Sequence, residues 1–281
     1  MLAEEPPVLA IGGVEKTYRT GTHALAPVDL TVHRGEFLTL LGPSGCGKTT
    51  LLNLMAGLLA PDAGTLAWWG GGFDATGGPG RRLAMVFQAP TLMPWARIDA
   101  NVRLPLDLAR MPHAAAARDV DAALDLVGLS EFARHFPREL SGGMQMRAAI
   151  ARALVTAPDL LLMDEPFGAL DEFTRQRLDA ELRSLWAARG LTVVFVTHSI
   201  VEAVFLSTRV AVMAARPGRV LAEVAIDEPH PRTDAFRLSP AFAAHCRRLS
   251  ERVAGAGADA EARAAGTTRP QRRPARPAAG A

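Results

Sequence analysis

The chain has 281 residues, 49% of them apolar, which is enough for one large domain or two modest ones and too apolar for a disordered chain. Its net charge of +2 gives no overall pull toward nucleic acid. The only cysteines, Cys46 and Cys246, lie too far apart in sequence to suggest a disulfide framework and suit a reducing compartment.

Residues 1–7 are acidic and proline-bearing, without an apolar signal core, and read as an N-terminal extension. No apolar stretch approaches the ~18–20 residues of a membrane span, so any membrane role must come from a partner. Residues 8–39 read as short strands separated by turns. Tyr18, the sole tyrosine, follows the first of them. It either stacks on a nucleobase or sits half-buried in the core. Residues 37–41 form an apolar run that stops at Gly42, and residues 49–59 read as a helix closed by Pro61.

Between that strand and helix lies Gly42-Pro43-Ser44-Gly45-Cys46-Gly47-Lys48-Thr49, with Thr50 next. The pattern G-x-x-x-x-G-K-[ST] lets successive backbone N–H groups curl around a phosphate, and the helix start adds its positive end. Lys48 is expected to reach the β- and γ-phosphates and Thr49 to offer its hydroxyl to Mg2+. Lys48 is one of only two lysines among 31 basic residues. A compact ammonium fits that place better than a planar guanidinium.

The glycine-dense residues 70–80 lack a lysine and a following helix, so they read as a hairpin loop after Trp69. Residues 83–87 form a short strand ending in Gln88, an amide that can contact Mg2+ or the attacking water, or serve as an ordinary loop residue. Residues 99–138 turn helical, with Val120, Leu124 and Val127 on one face. Ser141-Gly142-Gly143 opens another helix, through Leu154, and makes a second anion-binding nest. One γ-phosphate does not need two nests from one chain, so the simplest solution is that this one serves the nucleotide on another copy.

A buried strand over residues 160–163 then delivers Asp164 and Glu165. Asp164 is expected to hold the Mg2+ shell and Glu165 to act as general base. A helix over 172–189 ends at Gly190, and a β-branched strand over 192–197 ends at His198. A lone histidine is usually a satisfied or exposed residue. Here three strands each end in polar groups, and ligands of parallel sheets bind at those ends. Continuous apolar strands alternating with helices indicate an α/β fold with both sheet faces covered. From about residue 254 the composition turns to Ala, Gly, Pro and Arg, which reads as a disordered tail over 254–281.

Over residues 8–253 the ordered set Tyr18, the 42–49 loop, Gln88, Leu140-Ser141-Gly142-Gly143-Met144, residues 160–166, Ala169-Leu170-Asp171 and His198 resembles an ABC ATPase. The resemblance implies a phosphate-loop NTPase (RecA-like) core, an antiparallel β subdomain and an inserted helical subdomain over about 90–139. It also implies two ATPase subunits, identical copies in the simplest case, that sandwich ATP and Mg2+ between the loop of one and the Ser141-Gly142-Gly143 nest of the other. The implied partners are two integral membrane permease subunits, which contact the surface around Gln88 to Trp95, and a periplasmic or lipid-anchored solute-binding protein, with no nucleic acid. The implied place is peripheral, on the cytoplasmic face of the membrane.

Finer features resemble the importer group for nitrate, sulfonates and taurine: Val86-Phe87-Gln88, Met93-Pro94-Trp95, Asn101-Val102, residues 164–175 and 197–209, and Arg216-Pro217-Gly218-Arg219. Importers of pyrimidine vitamin precursors share much of this pattern. Met144 stands where glutamine is usual, as is frequent in this importer group, and Met146 where a polar residue is more common. Three rival readings are a soluble ABC ATPase of DNA repair, translation or cluster assembly, an exporter subunit, and a phosphate-loop kinase or GTPase. The first has coiled-coil insertions or two cassettes, the second is normally fused to membrane helices, and the third has no use for Ser141-Gly142-Gly143.

Overall fold

A computed structural model describes residues 6–71, 81–215, 217–229 and 232–266. Residues 72–80 of the glycine-dense loop, Arg216, most of the N-terminal extension (1–5) and the end of the chain (267–281) lie outside the described residues.

The most apolar runs make the centre of the molecule. Strands β3 (Phe37–Leu41), β6 (Leu160–Asp164) and β7 (Thr192–Thr197) are buried along their whole length. They belong to a six-stranded sheet in the order β5 (Leu83–Val86), β6, β7, β3, β8 (Arg209–Ala214), β9 (Arg219–Ala225). Pairing is parallel from β5 to β8, and β9 runs antiparallel.

Alternate side chains of one strand point to opposite faces. Phe37, Leu41, Leu161, Met163, Val193 and Phe195 therefore enter one core. Leu38, Leu40, Leu160, Leu162, Val194 and Val196 enter the other. The second core is closed by helix α1 (Lys48–Met55) and a three-stranded antiparallel sheet in the order β2 (His23–Val32), β1 (Leu9–Thr17), β4 (Ala63–Trp68).

Helix α1 ends four residues before the expected Leu59. Gly57 adopts φ 68°, and Gly57 N–H and Leu58 N–H return to the carbonyls of Leu54 and Asn53 at 3.0 and 2.9 Å. This pair of bonds stops a helix by satisfying its last carbonyls, and it needs a residue at ease with positive φ.

The first core is covered by helices. Between β5 and β6 the chain inserts α2 (Ile98–Leu108), α3 (His113–Leu126) and α4 (Gly142–Leu154), which pack on one another. Val120, Leu124 and Val127 are buried together, as the periodicity requires. The expected helical run over 99–138 is broken twice. Helix α2 stops at Arg110 (φ 56°), where Met111 N–H returns to Leu106 O at 3.0 Å. Helix α3 stops at Gly128 (φ 65°), where Leu129 N–H returns to Leu124 O at 2.8 Å, and two 3-10 turns, Ser130–Phe132 and Pro137–Glu139, follow. A residue in the left-handed region lets the last carbonyls of a helix be satisfied and the chain turn away.

Helix α5 (Glu172–Arg189) spans the range read from sequence, with Asp171 accepting from Thr174 N–H at 3.0 Å at its start. Helices α6 (Ile200–Leu206), α7 (Asp234–Arg237) and α8 (Pro240–Gly266) complete the layer. Phe242 and Leu249 of α8 join the first core. The backbone of α8 stays helical to Gly266, past the residue-254 boundary that composition suggests.

Because β3, β5, β6 and β7 run in parallel, their C-terminal ends emerge at one edge of the sheet. Gly42, Gln88, Asp164-Glu165 and His198 all leave from that edge.

Candidate active site

The loop from Gly42 to Lys48 fits its position tightly. Gly47 adopts φ 90°, and a Cβ there would lie 2.7 Å from Leu25 Cδ2 and 3.0 Å from the Ala24 carbonyl. Both strain and contact forbid a side chain. Cys46 points away from the cleft into the second core, fully buried, so only its backbone can face a ligand. Burial pushes its thiol up.

Lys48 is 4% exposed. Its ammonium donates to the carbonyls of Gly42 and Pro43 at 2.8 and 3.0 Å and lies 3.5 Å from Glu165 Oε1. Thr49 Oγ1 donates to Asp164 Oδ1 at 3.1 Å. Burial pushes the Asp164 carboxyl up, with Glu165 adding to the push and Thr49 and Lys48 opposing it.

Glu165 sits in the left-handed region at φ 42°. Its N–H donates to Val196 O at 3.0 Å and its carbonyl accepts from Gly168 N–H at 3.1 Å. Its other carboxylate oxygen, Oε2, lies 3.2 Å from His198 Nδ1. An ionised carboxylate only accepts, so Nδ1 carries the proton of that bond. One side chain thus spans the phosphate-loop lysine and the histidine of the neighbouring strand.

These groups surround a cleft of about 430 Å3, lined by Ser44, Gly45, Gly47, Lys48, Thr49 and Thr50, with Asp164, Glu165 and Gln88 from the strand ends. Tyr18 forms another wall. Tyr18 is 38% exposed and its hydroxyl pairs with Thr50 Oγ1 at 3.0 Å. Thr22, His23 and Ala24 also line the cleft and escaped the sequence reading. Their only signal was proximity to Tyr18, through the Gly21 turn between β1 and β2.

The Ser141-Gly142-Gly143 segment lies outside this lining. Ser141 caps α4 by accepting from Met144 N–H at 3.3 Å, and Ser141 and Gly142 are exposed. Gly143 is buried, and a Cβ there would come 2.7 Å from Thr174 Cγ2 on α5. Met146 is 2% exposed, so an apolar residue suits that position.

Thr49 and Asp164 offer hard oxygen donors side by side. Among the described residues no group of three or more His, Cys, Asp or Glu side chains forms a metal cage. Mg2+ is commonly held by one or two protein oxygens plus phosphate and water, so this donor set fits it.

Residues 25–168 match the sequence profile of the ABC transporter family. The chain belongs to the ABC transporter family. This ABC chain is 43% identical over 237 residues to the aliphatic sulfonates import ATP-binding protein SsuB of Bacillus licheniformis, covering 83% of this chain and 89% of that protein. It is 46% identical over 198 residues to the taurine import ATP-binding protein TauB of Pelagibacter ubique, covering 70% and 74%. A solved dimeric ATP-binding cassette in a post-hydrolysis state, bound to ADP and Pi, superposes with a TM-score of 0.68 at 32% identity over 79% of this chain and 100% of that one. The ABC chain is accordingly a nucleotide-binding ATPase with the phosphate-loop α/β fold. Among the described residues no helix is long and apolar enough to cross a membrane.

Proposed function

We propose that the chain is the ATP-hydrolysing subunit of an importer for a small solute of the nitrate, sulfonate or taurine type, working as one half of a head-to-tail pair at the cytoplasmic face of the membrane. The observation that carries the pairing is the exposed Ser141-Gly142 helix start, which stands outside the chain's own nucleotide cleft. The relatives named for sulfonate and taurine import support the solute class.

In this reading the loop N–H groups and Lys48 hold the triphosphate, and the ring of the exposed Tyr18 receives the adenine. Mg2+ supplies charge neutralisation on the phosphate oxygens, held by Thr49 and Asp164, with Gln88 in reach of the same region. Glu165 takes the proton of the attacking water. His198 holds the Glu165 carboxylate through Nδ1 and fixes which way the base faces. Ser141 and Gly143 of the second subunit donate to the γ-phosphate from the far side.

A second surface suits a membrane subunit. Trp95, Leu108 and Phe87 are exposed, and Phe87 and Leu108 line an apolar groove with Leu104, Pro105 and Met85. Asn101, fully buried, fixes the approach by accepting from Met93 N–H at 2.7 Å and donating to the carbonyls of Met93, Ala96 and Arg97 at 3.1 Å. Two permease subunits dock their cytoplasmic helices there, and a periplasmic or lipid-anchored binding protein delivers the solute. Affinity purification of the full chain from detergent-solubilised membranes should recover a multi-spanning protein, and ATP turnover of that complex should rise with the loaded binding protein. Recovery of the chain alone, with turnover indifferent to any membrane fraction, would remove the importer reading.

A further inference from the structure

Behind the Glu165–His198 contact lies a second pair of charges that the hydrolysis reading does not use. Glu202, in the first turn of α6, is 5% exposed. Its Oε2 accepts from the Thr197 hydroxyl, and the same hydroxyl oxygen accepts from Ser199 N–H at 2.9 Å. Its Oε1 lies 3.6 Å from Arg175 Nε. Arg175, in the first turn of α5, donates Nη2 to the carbonyl of Leu170 at 2.8 Å, and its Nη1 lies 3.3 Å from Glu172.

These contacts join two loops. Thr197 and Ser199 flank His198. Leu170 lies on the turn that leads from Glu165 into α5, where Leu170 N–H also returns to Phe167 O at 3.1 Å. The front of the assembly is the bond from His198 to Glu165; the back is the path Leu170, Arg175, Glu202, Thr197. A buried ion pair is a poor source of stability, because desolvation offsets most of the attraction. Burial does push the Glu202 carboxyl up, against the opposing effects of Thr197 and Arg175. What the arrangement supplies is registry between the loop after β6 and the loop after β7, behind the Glu165–His198 contact.

We propose that Arg175 and Glu202 are positioning residues that hold the His198 turn against the Glu165 loop and so set the distance between base and histidine. Neither touches the cleft lining; both act through His198. This inference rests on the reading of Glu165 and His198 as hydrolytic residues.

The test uses the full chain with ATP and Mg2+. Glu202→Ala and Thr197→Val should each lower kcat by about tenfold while KM and ATP affinity stay within about twofold, since only alignment for the chemical step is lost. Glu202→Gln keeps an oxygen for the Thr197 hydroxyl and should recover most of the rate. In a His198→Ala background, Glu202→Ala should slow turnover by less than about twofold further, because residues acting as one unit are not additive. If Glu202→Ala fails to fold, Thr197→Val, which deletes one hydroxyl and leaves the ion pair, carries the same comparison.

A slow His198→Ala variant on which either change adds its full factor overturns the positioning role alone, as does a KM that rises in step with the fall in kcat. Wild-type turnover in His198→Ala removes the hydrolytic reading of that residue, and the proposal with it.

Discussion

Glu165 keeps a backbone conformation that favours glycine, φ 42°, at a cost of roughly 1–3 kcal/mol. The surrounding bonds to Val196 and Gly168 hold it there, and the return is a carboxylate that reaches both Lys48 and His198. Glu165→Gln keeps the shape and loses the base. It should bind ATP as the unchanged chain does and release phosphate about tenfold more slowly or worse, read by steady-state turnover beside nucleotide affinity. Lys48→Ala should lose nucleotide affinity itself, because the buried ammonium is the group poised for the phosphates; unchanged ATP binding would contradict the loop assignment. The phosphate loop, Asp164 and Glu165, which the structure gathers around one cleft, were legible because each motif is continuous in sequence. Thr22 and His23 were not, since they reach the cleft only when β2 pairs with β1. Arg175 and Glu202 were equally hidden, their contact being made by two helices that the sequence keeps apart.

Elements read well where one physical signal was enough. Continuous apolar runs gave β3, β6 and β7, and a cap at each end gave α5 its full span. The end of α1 and the break-up of the 99–138 segment depended on Gly57, Arg110 and Gly128, local stops in the left-handed region that apolar periodicity does not register. What ties elements together was not legible at all, and the bond between α5 and α7 is the clearest case. Asp179 of α5 is 1% exposed and accepts from Arg237 Nη2 at 2.9 Å, while the Arg237 guanidinium sits 3.6 Å from the centre of the Phe205 ring. Burial, with the charge of Glu202, pushes the Asp179 carboxyl up to about 7 from 3.8, against the pull of Arg237 and Arg175. Its other oxygen has no hydrogen-bond partner among the described residues and is free to take the proton. The folded chain therefore binds this proton more tightly than the unfolded chain does. The stability it contributes is complete below the unfolded value of 3.8 and is lost as pH rises through about 7. Asp179→Asn removes the titration and leaves an oxygen for Arg237. Thermal midpoints taken from about pH 5 to about pH 8 should shift in favour of the variant as pH rises. A gap between the two proteins that does not change with pH would show that Asp179 is already ionised across that range.

On the scale of the whole molecule, helix α1 starts in the cleft and helix α4, whose Ser141-Gly142-Gly143 start we propose as a second anion-binding nest, starts outside it. If each nucleotide lies between α1 of one subunit and α4 of the other, the functional unit is a composite, and composites complement. Lys48→Ala spoils the loop half of both sites in its own pair. Ser141→Arg, a bulky cation at the exposed cap, spoils the α4 half of both sites in its own pair. A mixed pair has one site carrying both defects and one site carrying neither. Equal amounts of the two variants, exchanged freely, should therefore hydrolyse ATP at up to about a quarter of the unmodified rate, since about half the pairs are mixed and each has one sound site of two. Either variant alone should be nearly inactive. Sites that must fire together would lower the recovered rate without abolishing nucleotide trapping in the sound site, which labelled ATP with Glu165→Gln in both chains would reveal. A site built within a single chain has no sound copy in any mixture. A mixture that neither hydrolyses faster nor traps more nucleotide than its better parent would then place Ser141 and Lys48 in one subunit's site and end the head-to-tail reading.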